Sequence, residues 1–395
     1  MTDTYDLRDT SEGVADWLRT RQQTMRVTET TTTPAGHVLD WIPADSQGVG
    51  EPAAPPPPGP VLPRYGEAGR LTAAPELDLS EPGPDGHVPI LRPDPATISS
   101  RLVTGRGPKQ GGLRVNINRA NLQATDPNPA GYFHATSAQT VTCYGCEGWL
   151  NVWDPQVDIP SSPGDDHSIS QTWLQNYQTP HVQSIEAGLT VDKSLNGDAA
   201  NHLFSYFTTN GYTSDGDNVG GYNRLHKGWV QYDASIYPGI RINGSSGLGN
   251  PQQLEIGIKF QLFNGNWWLG FSSNESGPWT WLGYYPASLF GTSGMTTLAQ
   301  WMSFGGEVYS ALANPCSTTD QMGSGRHAAA GYSQAAFQRN LRYQSTTGGG
   351  LANMTGIPEV DAAASGCPTN QYTIQCFMNS GSSFESYQYY GGPAA

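Results

Sequence analysis

The sequence predicts an all-β protein, a two-sheet antiparallel β-sandwich preceded by a smaller N-terminal segment, and three observations carry that prediction. Only 14% of the 395 residues are charged while 48 are Gly and 30 are Pro, which excludes the Lys-, Glu-, Leu- and Ala-rich composition of a helical bundle. Residues 254–262 alternate Leu254, Ile256, Ile258, Phe260 and Leu262 with Glu255, Gly257, Lys259 and Gln261, the period of a strand with one buried and one wet face. Many further short apolar runs are separated by turn residues, and no repeat of 20 to 50 residues is present, which favours a sandwich over a propeller or solenoid.

The elements follow in order. Residues 9–27 carry Val14, Trp17, Leu18 and Met25 at helical spacing, with Asp9, Thr10 and Ser11 as caps, so a short amphipathic helix is expected. Residues 28–42 read as strand-like. From about 43 to 95 the chain is rich in Pro, Gly, Ala and acidic residues, a composition expected to give an extended, protease-accessible linker. The main body begins near Gly131. Its strand candidates are 148–153, 169–175, 182–191, 203–208, 229–232, 254–262, 266–271, 281–285 and 335–343, with Asn264-Gly265 as a hairpin turn.

A formal charge of -14 without a Lys/Arg cluster argues against nucleic acid as a partner. No run of 18 apolar residues exists, so no membrane span is expected. The first residues show no basic region followed by an apolar one. Export, the expectation for a protein of low charge density rich in Trp and Tyr, therefore requires a removed signal or another route. Of the five cysteines, Cys143 with Cys146 and Cys367 with Cys376 are expected as short-loop disulfides, leaving Cys316 over.

Two carboxylates stand out. Glu307 follows Gly305 and Gly306 between Phe304 and Val308, and Glu186 is flanked by Ile185, Ala187 and Gly188. Glycine lets a ligand or another backbone approach the main chain, which suits a carboxyl group set in a cleft. Two such groups can supply general acid and general base, and if they lie close they titrate as a unit. Other chemistries fit less well. Gly323-Ser-Gly325 lacks the Gly-x-Ser-x-Gly elbow, and His-Glu-x-x-His is absent. Asp165, Asp166 and His167 read as a solvated loop, and His181, His202 and His226 as packing or surface histidines. No metal or cofactor is expected.

From about residue 144 onward the chain resembles the neprosin family, glutamic endopeptidases of plants and microbes that cleave beside proline. The matching words occur in order: Trp-Leu-Asn-Val-Trp-Asp-Pro (149–155), Ser-Ile-Ser-Gln-Thr-Trp (168–173), Ser-Ile-Glu-Ala-Gly (184–188), Gly-Asp (197–198), Leu-Phe-Ser-Tyr-Phe-Thr (203–208) and Gly-Tyr-Asn (221–223). They continue with Gly-Asn-Trp-Trp-Leu (265–269), Gly-Tyr-Tyr-Pro (283–286), Gly-Gly-Glu-Val (305–308), Gln-Met-Gly-Ser-Gly (321–325) and Tyr-Tyr-Gly-Gly-Pro (389–393). The resemblance implies that Glu186 and Glu307 are the catalytic pair, that the fold is a two-sheet sandwich, and that Cys367 and Cys376 match the family's C-terminal cysteine pair. The Thr-Pro-Ala-Gly-His-Val-Leu-Asp segment (33–40) is similar to the family's activation peptide, which implies a propeptide over residues 1–128 and a peptidase domain over 129–395. The chain departs from the pattern where Gly221 and His226 replace cysteines and where Leu189 and Phe304 replace tryptophans, changes expected to alter the substrate pocket.

The expected activity is an acid-active endopeptidase, a monomer that meets its own propeptide and proline-containing substrates. Gln171 or Gln321 would supply an oxyanion donor, and Trp267, Trp268, Tyr284 and Tyr285 an aromatic proline pocket. The rival reading is a carbohydrate-binding, lectin-like sandwich with exposed tryptophans and no peptidase activity.

Overall fold

The computed structural model describes residues 11–47, 55–58, 72–98, 102–103, 131–157, 166–177, 179–273, 275, 278–361, 367–368 and 370–393. In chain order the front part contributes α1 (Ser11–Thr24), β1 (Glu29–Thr32), β2 (Val38–Pro43), β3 (Thr72–Ala73), β4 (Glu76–Leu77) and β5 (His87–Leu91). The body opens with β6 (Tyr132–Cys143), β7 (Gly145–Asn151), β8 (His167–Asn176), β9 (Gln183–Val191), the single turn α2 (Lys193–Asn196), β10 (Asn201–Thr208) and β11 (Gly220–Tyr222). It continues with β12 (Val230–Gln231), β13 (Ile242–Asn243), β14 (Gln253–Phe263), β15 (Asn266–Ser272), β16 (Thr280–Pro286) and β17 (Ala299–Tyr309). The last strands are β18 (Ala336–Gln344), β19 (Leu351–Asn353), β20 (Ile357–Asp361), β21 (Thr373–Phe377) and β22 (Tyr387–Gly391).

Two large sheets, antiparallel except for the short β3–β14 pairing, form the sandwich. One runs β11-β10-β9-β8-β17-β6-β20; the other runs β12-β16-β15-β14-β7-β18-β22-β21, with β19 beside β18 and β3 beside β14. Between them lies the main core. Leu174, Ile185, Ala187, Leu189, Leu203, Phe207, Met302 and Phe304 of the first sheet meet Leu150, Ile256, Ile258, Phe260, Trp267, Leu269, Phe271 and Tyr285 of the second. The sandwich expected from the alternating strands is therefore present. Asn264 and Gly265 both have positive φ, 48° and 73°, the hairpin geometry that matches the twist of β14 and β15.

Three expectations are corrected. The polar face of β14 is not wet: Lys259 is buried with its Nζ 3.1 Å from Glu147, and buried Glu255 pairs with Arg339. Alternation identifies two faces but not whether anything covers the second. The proline-rich stretch is likewise no free linker over its described residues. β3 pairs with β14, β4 pairs with β13, β5 completes a sheet with β1 and β2, and the Pro57 carbonyl accepts a bond from Trp281 Nε1 at 3.0 Å. Short pairings satisfy the backbone there, and Val88 and Ile90 of β5 are buried in a small apolar cluster with Met25 and Ile42. Finally, the disulfide joins Cys316 to Cys367, while Cys143, Cys146 and Cys376 are free. Cys143 and Cys146 point into the buried corner where β6 passes to β7, each bonded to a neighbour: Cys143 Sγ donates to the Gly145 carbonyl at 3.0 Å and Cys146 Sγ meets Thr172 Oγ1 at 3.4 Å.

The predicted helix is α1, with Val14 and Leu18 inward; Asp9 and Thr10 lie outside the described residues. It packs on the outer face of the first sheet, the face that carries both glutamates.

Candidate active site

The strand register fixes the site. On the outer face of the first sheet three transverse rows of side chains lie side by side. The first reads His134, Glu307, Ile169, Thr190 and His202 across β6, β17, β8, β9 and β10. The second reads Thr136, Gly305, Gln171, Gly188 and Phe204, and the third Ala138, Ser303, Trp173, Glu186, Tyr206 and, on β11, Tyr222. Gln171 thus sits at the centre of the face, one strand and two residues from Glu307 on one side and from Glu186 on the other. Each diagonal step spans about 7–8 Å, so the glutamates do not abut. They face each other across Gln171, and the directly shared proton of a touching pair gives way to two separate carboxylates.

Glycines keep the middle row open. On either side of Gln171 there is no Cβ, and none would fit: one at Gly188 would lie 2.7 Å from Gln171 Cα, and one at Gly305, whose φ is +156°, would lie 2.6 Å from Thr136 Cα. The result is a trough floored by backbone, with a carboxylate on each bank. Its floor is held from the sandwich interior. Gln338 Nε2 donates to the carbonyls of Gln171 at 3.2 Å and Gly305 at 3.3 Å, and Gln388 Nε2 donates to the Phe304 carbonyl at 2.9 Å. Buried amides that satisfy carbonyls at two strands at once fix the row rigidly.

Glu307 is buried in a ring of nitrogen groups. His167 Nε2 lies 3.0 Å from Oε1, His134 Nε2 lies 3.2 Å from Oε2, and Gln171 Nε2 donates to Oε2 at 3.2 Å. These contacts approach the two carboxylate oxygens separately. Glu186, equally buried, has an oxygen-rich setting: the Tyr212 hydroxyl donates to its Oε1 at 2.7 Å and the Ser184 hydroxyl at 3.2 Å, while Gln175 Nε2 donates to the Tyr212 oxygen at 2.9 Å. Tyr212 holds this position at φ 60°, a left-handed conformation that is costly for a bulky side chain and is found at constrained functional sites. Burial, and then the negative charge of Glu186, pushes the Tyr212 phenol well above its usual range. Burial followed by Glu307, Asp192 and Glu186 does the same for Tyr222, so both phenols remain protonated donors throughout the acid range. Tyr222 stands four strands from Glu307 in the sheet order, yet the charges of both glutamates act on it.

The front part of the chain lies over this face. Val14 and Leu18 of α1, with Ile98, Leu102 and Val103, share one apolar cluster with Ile169, Phe204, Tyr206, Tyr212 and Tyr222. Polar contacts pin the same seam. Arg21 donates to the Arg224 carbonyl and lies 3.5 Å from Asp217, His226 Nε2 lies 3.1 Å from the Leu102 carbonyl, and Gln47 exchanges bonds with the backbone of Gln231 at 2.7 and 2.8 Å. Under this cover Glu186 and Glu307 are each only 2% exposed.

The other expected site residues lie elsewhere. Trp267 and Tyr285 point into the core between the sheets, and Trp268 and Tyr284 pack with Trp281 and Val230 on the far side of the second sheet. None of the four reaches the trough, because β15 and β16 belong to the opposite sheet. Gln321 is tied to Gln156, its Oε1 accepting from the Gln156 N–H at 3.1 Å and its own N–H reaching the Gln156 carbonyl at 2.8 Å. Only Gln171 joins the glutamates. Leu189 and Phe304 face the main core, so their difference from tryptophan bears on packing rather than on the trough. His226 packs against Gly221, the two positions where the family pattern leads us to expect cysteines.

His167 is fully buried on Glu307, not surface, and buried Asp166 accepts the Ala311 N–H at 2.7 Å; Asp165 lies outside the described residues. His134, His167, Tyr212, Tyr222 and Trp173 are site residues that the sequence reading missed. His167 immediately precedes the Ser-Ile-Ser-Gln-Thr-Trp word and Trp173 ends it, so both could have been found there; His134 and Tyr212 reach the glutamates only through long-range pairing.

Comparison with known proteins gives two findings. A solved structure described as the crystal structure of a functionally unknown protein from Saccharomyces cerevisiae is similar at 14% identity over 38% of this chain and 68% of that one, with a TM-score of 0.16, too low to carry an argument. The Neprosin family profile matches residues 164–393, 230 of the 395 residues and the span that holds Gln171, Glu186, Tyr212, Tyr222 and Glu307. The chain belongs to the Neprosin family, a membership consistent with a peptidase.

Proposed function

We propose that the protein is an acid-active glutamic endopeptidase that hydrolyses peptide bonds beside proline and is made as a zymogen, with Glu186 and Glu307 as its general acid and base. The observation that carries this reading is the trough: a strip of backbone cleared of side chains by Gly188 and Gly305, with one buried carboxylate on each bank and the Gln171 amide between them. An extended peptide fits such a strip. A water above the strip gives one proton to the ionised carboxylate as its oxygen attacks the scissile carbonyl carbon. The Gln171 amide stabilises the oxyanion. The protonated carboxyl then donates its proton to the leaving nitrogen as the C–N bond breaks, and no covalent intermediate forms. A reaction that needs one carboxyl protonated and one ionised works in acid.

Proline preference is reassigned to the aromatic groups beside Glu186: Trp173 in the same row, with Tyr206 and Tyr222 following, presents ring faces on which a pyrrolidine can pack. The front segment, residues 1–128, is the propeptide, and its apolar cluster over Ile169, Tyr206 and Tyr222 supports that role. The carbohydrate-binding alternative needs exposed tryptophans. Among the described residues the exposed large apolar side chains are Leu79, Tyr232, Leu248, Leu351 and Phe377, and none is tryptophan.

The test is cleavage of a proline-rich protein from pH 2 to 8 after acid preincubation, with fragments mapped by mass spectrometry. Glu186→Gln and Glu307→Gln are each expected to lower the rate by about 10²–10⁴-fold. Activity that survives either substitution removes that residue from the mechanism, and polysaccharide binding without hydrolysis replaces the reading altogether. Self-processing is tested separately: normal trimming of Glu307→Gln in acid, with no other protease present, would refute it.

A further inference from the structure

Away from the trough, at the other end of the Glu307 row, a second polar cluster joins the front segment to the body. His37 comes from the turn between β1 and β2; Asp198 follows α2, and His202 stands on β10. One ligand atom from each lies within 4.8 Å of the others. His202 Nε2 is 2.9 Å from Asp198 Oδ1, and His37 Nε2 is 3.2 Å from Asp198 Oδ2. The two imidazole rings meet edge to face with centroids 5.1 Å apart.

From this geometry we infer that His37, Asp198 and His202 form a binding site for a divalent transition metal of the zinc class, which staples the front segment to the body. Two imidazole nitrogens and one carboxylate oxygen are a zinc ligand set, and bonds of about 2.0–2.1 Å place tetrahedral ligands roughly 3.3 Å from one another; the ligand atoms here already lie within 4.8 Å of one another, so a small inward movement of the side chains closes the set. One ring carries the outer hydrogen bond that metal-bound histidines use, and the other has a carboxylate nearby. His202 Nδ1 donates to the Gly239 carbonyl at 2.8 Å, which commits Nε2 to the site. His37 Nδ1 faces Asp78 Oδ2 at 3.6 Å, and buried Asp78 is itself held by the Ala35 N–H at 3.1 Å and the Thr33 hydroxyl. Asp198 is oriented by the Ala200 N–H at 2.8 Å. Arg241 Nη1 also reaches Asp198 Oδ2 at 3.1 Å; its side chain is 34% exposed, so it can turn to solvent as the cation enters. Water completes the fourth position.

The ligands divide between the segment that covers the trough and the sheet that forms it. Metal binding therefore opposes departure of the cover; this consequence for activity rests on the zymogen reading, whereas the site itself does not.

The experiment uses the full chain without an affinity tag, stripped with chelator and dialysed. Zinc is titrated at neutral pH by calorimetry, and cobalt(II) is added in parallel as a spectroscopic probe of tetrahedral ligation. One equivalent of zinc is expected, with an intense visible cobalt band, and affinity at least 10-fold weaker in His37→Ala and in His202→Ala. His37 lies on a turn, and its replacement leaves the sandwich intact, so loss of binding there is not loss of fold. Absence of stoichiometric zinc binding, or binding unchanged in both variants, overturns the site. A second readout is the rate at which an added protease removes the front segment from Glu307→Gln protein. Zinc is expected to slow it at least several-fold, and not in the His37→Ala background; equal rates with and without zinc refute the staple. Neither readout depends on peptidase activity, so failure of the catalytic reading leaves both intact.

Discussion

Replacement of Gly188 by alanine tests whether the trough is a built feature. The new Cβ would press on the Ser170 carbonyl and lie 2.7 Å from Gln171 Cα. Both are backbone atoms in the middle of a sheet, so no rotamer change relieves the clash. The Ser170 carbonyl oxygen is the nearest atom at 2.0 Å, and bringing it out even to 3.0 Å requires β8 and β9 to part by 1.0 Å, the difference of the two distances. Overpacking of this kind costs about 1–3 kcal/mol, and the absence of a flexible neighbour puts the expectation near the upper figure, with a fall in Tm of about 4–5 °C for a chain of this length. A displacement approaching 1 Å at a positioning group is worth about 10²-fold in rate, so the variant should lose peptidase activity far beyond its loss of stability. Gly265→Ala is the control: its φ of +73° makes alanine strained, but nothing lies within 4 Å. It should lose about 1–2 kcal/mol and keep full activity per folded molecule. Thermal unfolding and steady-state cleavage, measured on both, decide the matter. A Gly188→Ala protein with the Tm and rate of wild type would refute the close approach and the trough together.

Tyr212→Phe removes the hydroxyl that donates to Glu186 and accepts from Gln175; about 1.5–3 kcal/mol of stability is expected to go, by urea unfolding, with most of it absent in a Glu186→Gln background. Acid should loosen the cover. Although burial acts upward, the Lys227 N–H and the Arg21 guanidinium bring the Asp217 carboxyl below its ordinary 3.8, so its stabilisation is present above 3.8 and is lost as pH falls through the lower folded value. Hydrogen exchange of α1, corrected for intrinsic rates, should accelerate below that point, and Asp217→Asn should reproduce the acceleration near pH 6; unchanged exchange would exclude this pair from the seam. Reduction of Cys316–Cys367, which spans 51 residues, should destabilise the protein by about 4 kcal/mol on the chain-entropy relation, read as a Tm difference with and without reductant.

The sequence by itself determined the local features. Alternation marked β14, Asn264-Gly265 marked its hairpin, and α1 was visible in the spacing of Val14 and Leu18, because these depend on neighbours a few residues apart. Glu186 and Glu307 were conspicuous for the same reason: a charge among glycine and apolar residues is a local anomaly. Tertiary structure alone decided what these features meant. Period two tells which residues share a face but not which sheet the strand joins, so Trp267 and Tyr285 went to the core and Trp268 and Tyr284 to the far face. The antiparallel partners of β17 are β6 and β8, and that pairing placed His134 and Gln171 on Glu307 from positions 173 and 136 residues away. Cysteine spacing suggested near neighbours, yet Cys316 and Cys367 met because the chain between them returns. Register, sheet order and cover are set by the burial of whole faces against one another, a property of the assembled chain that no window of sequence contains.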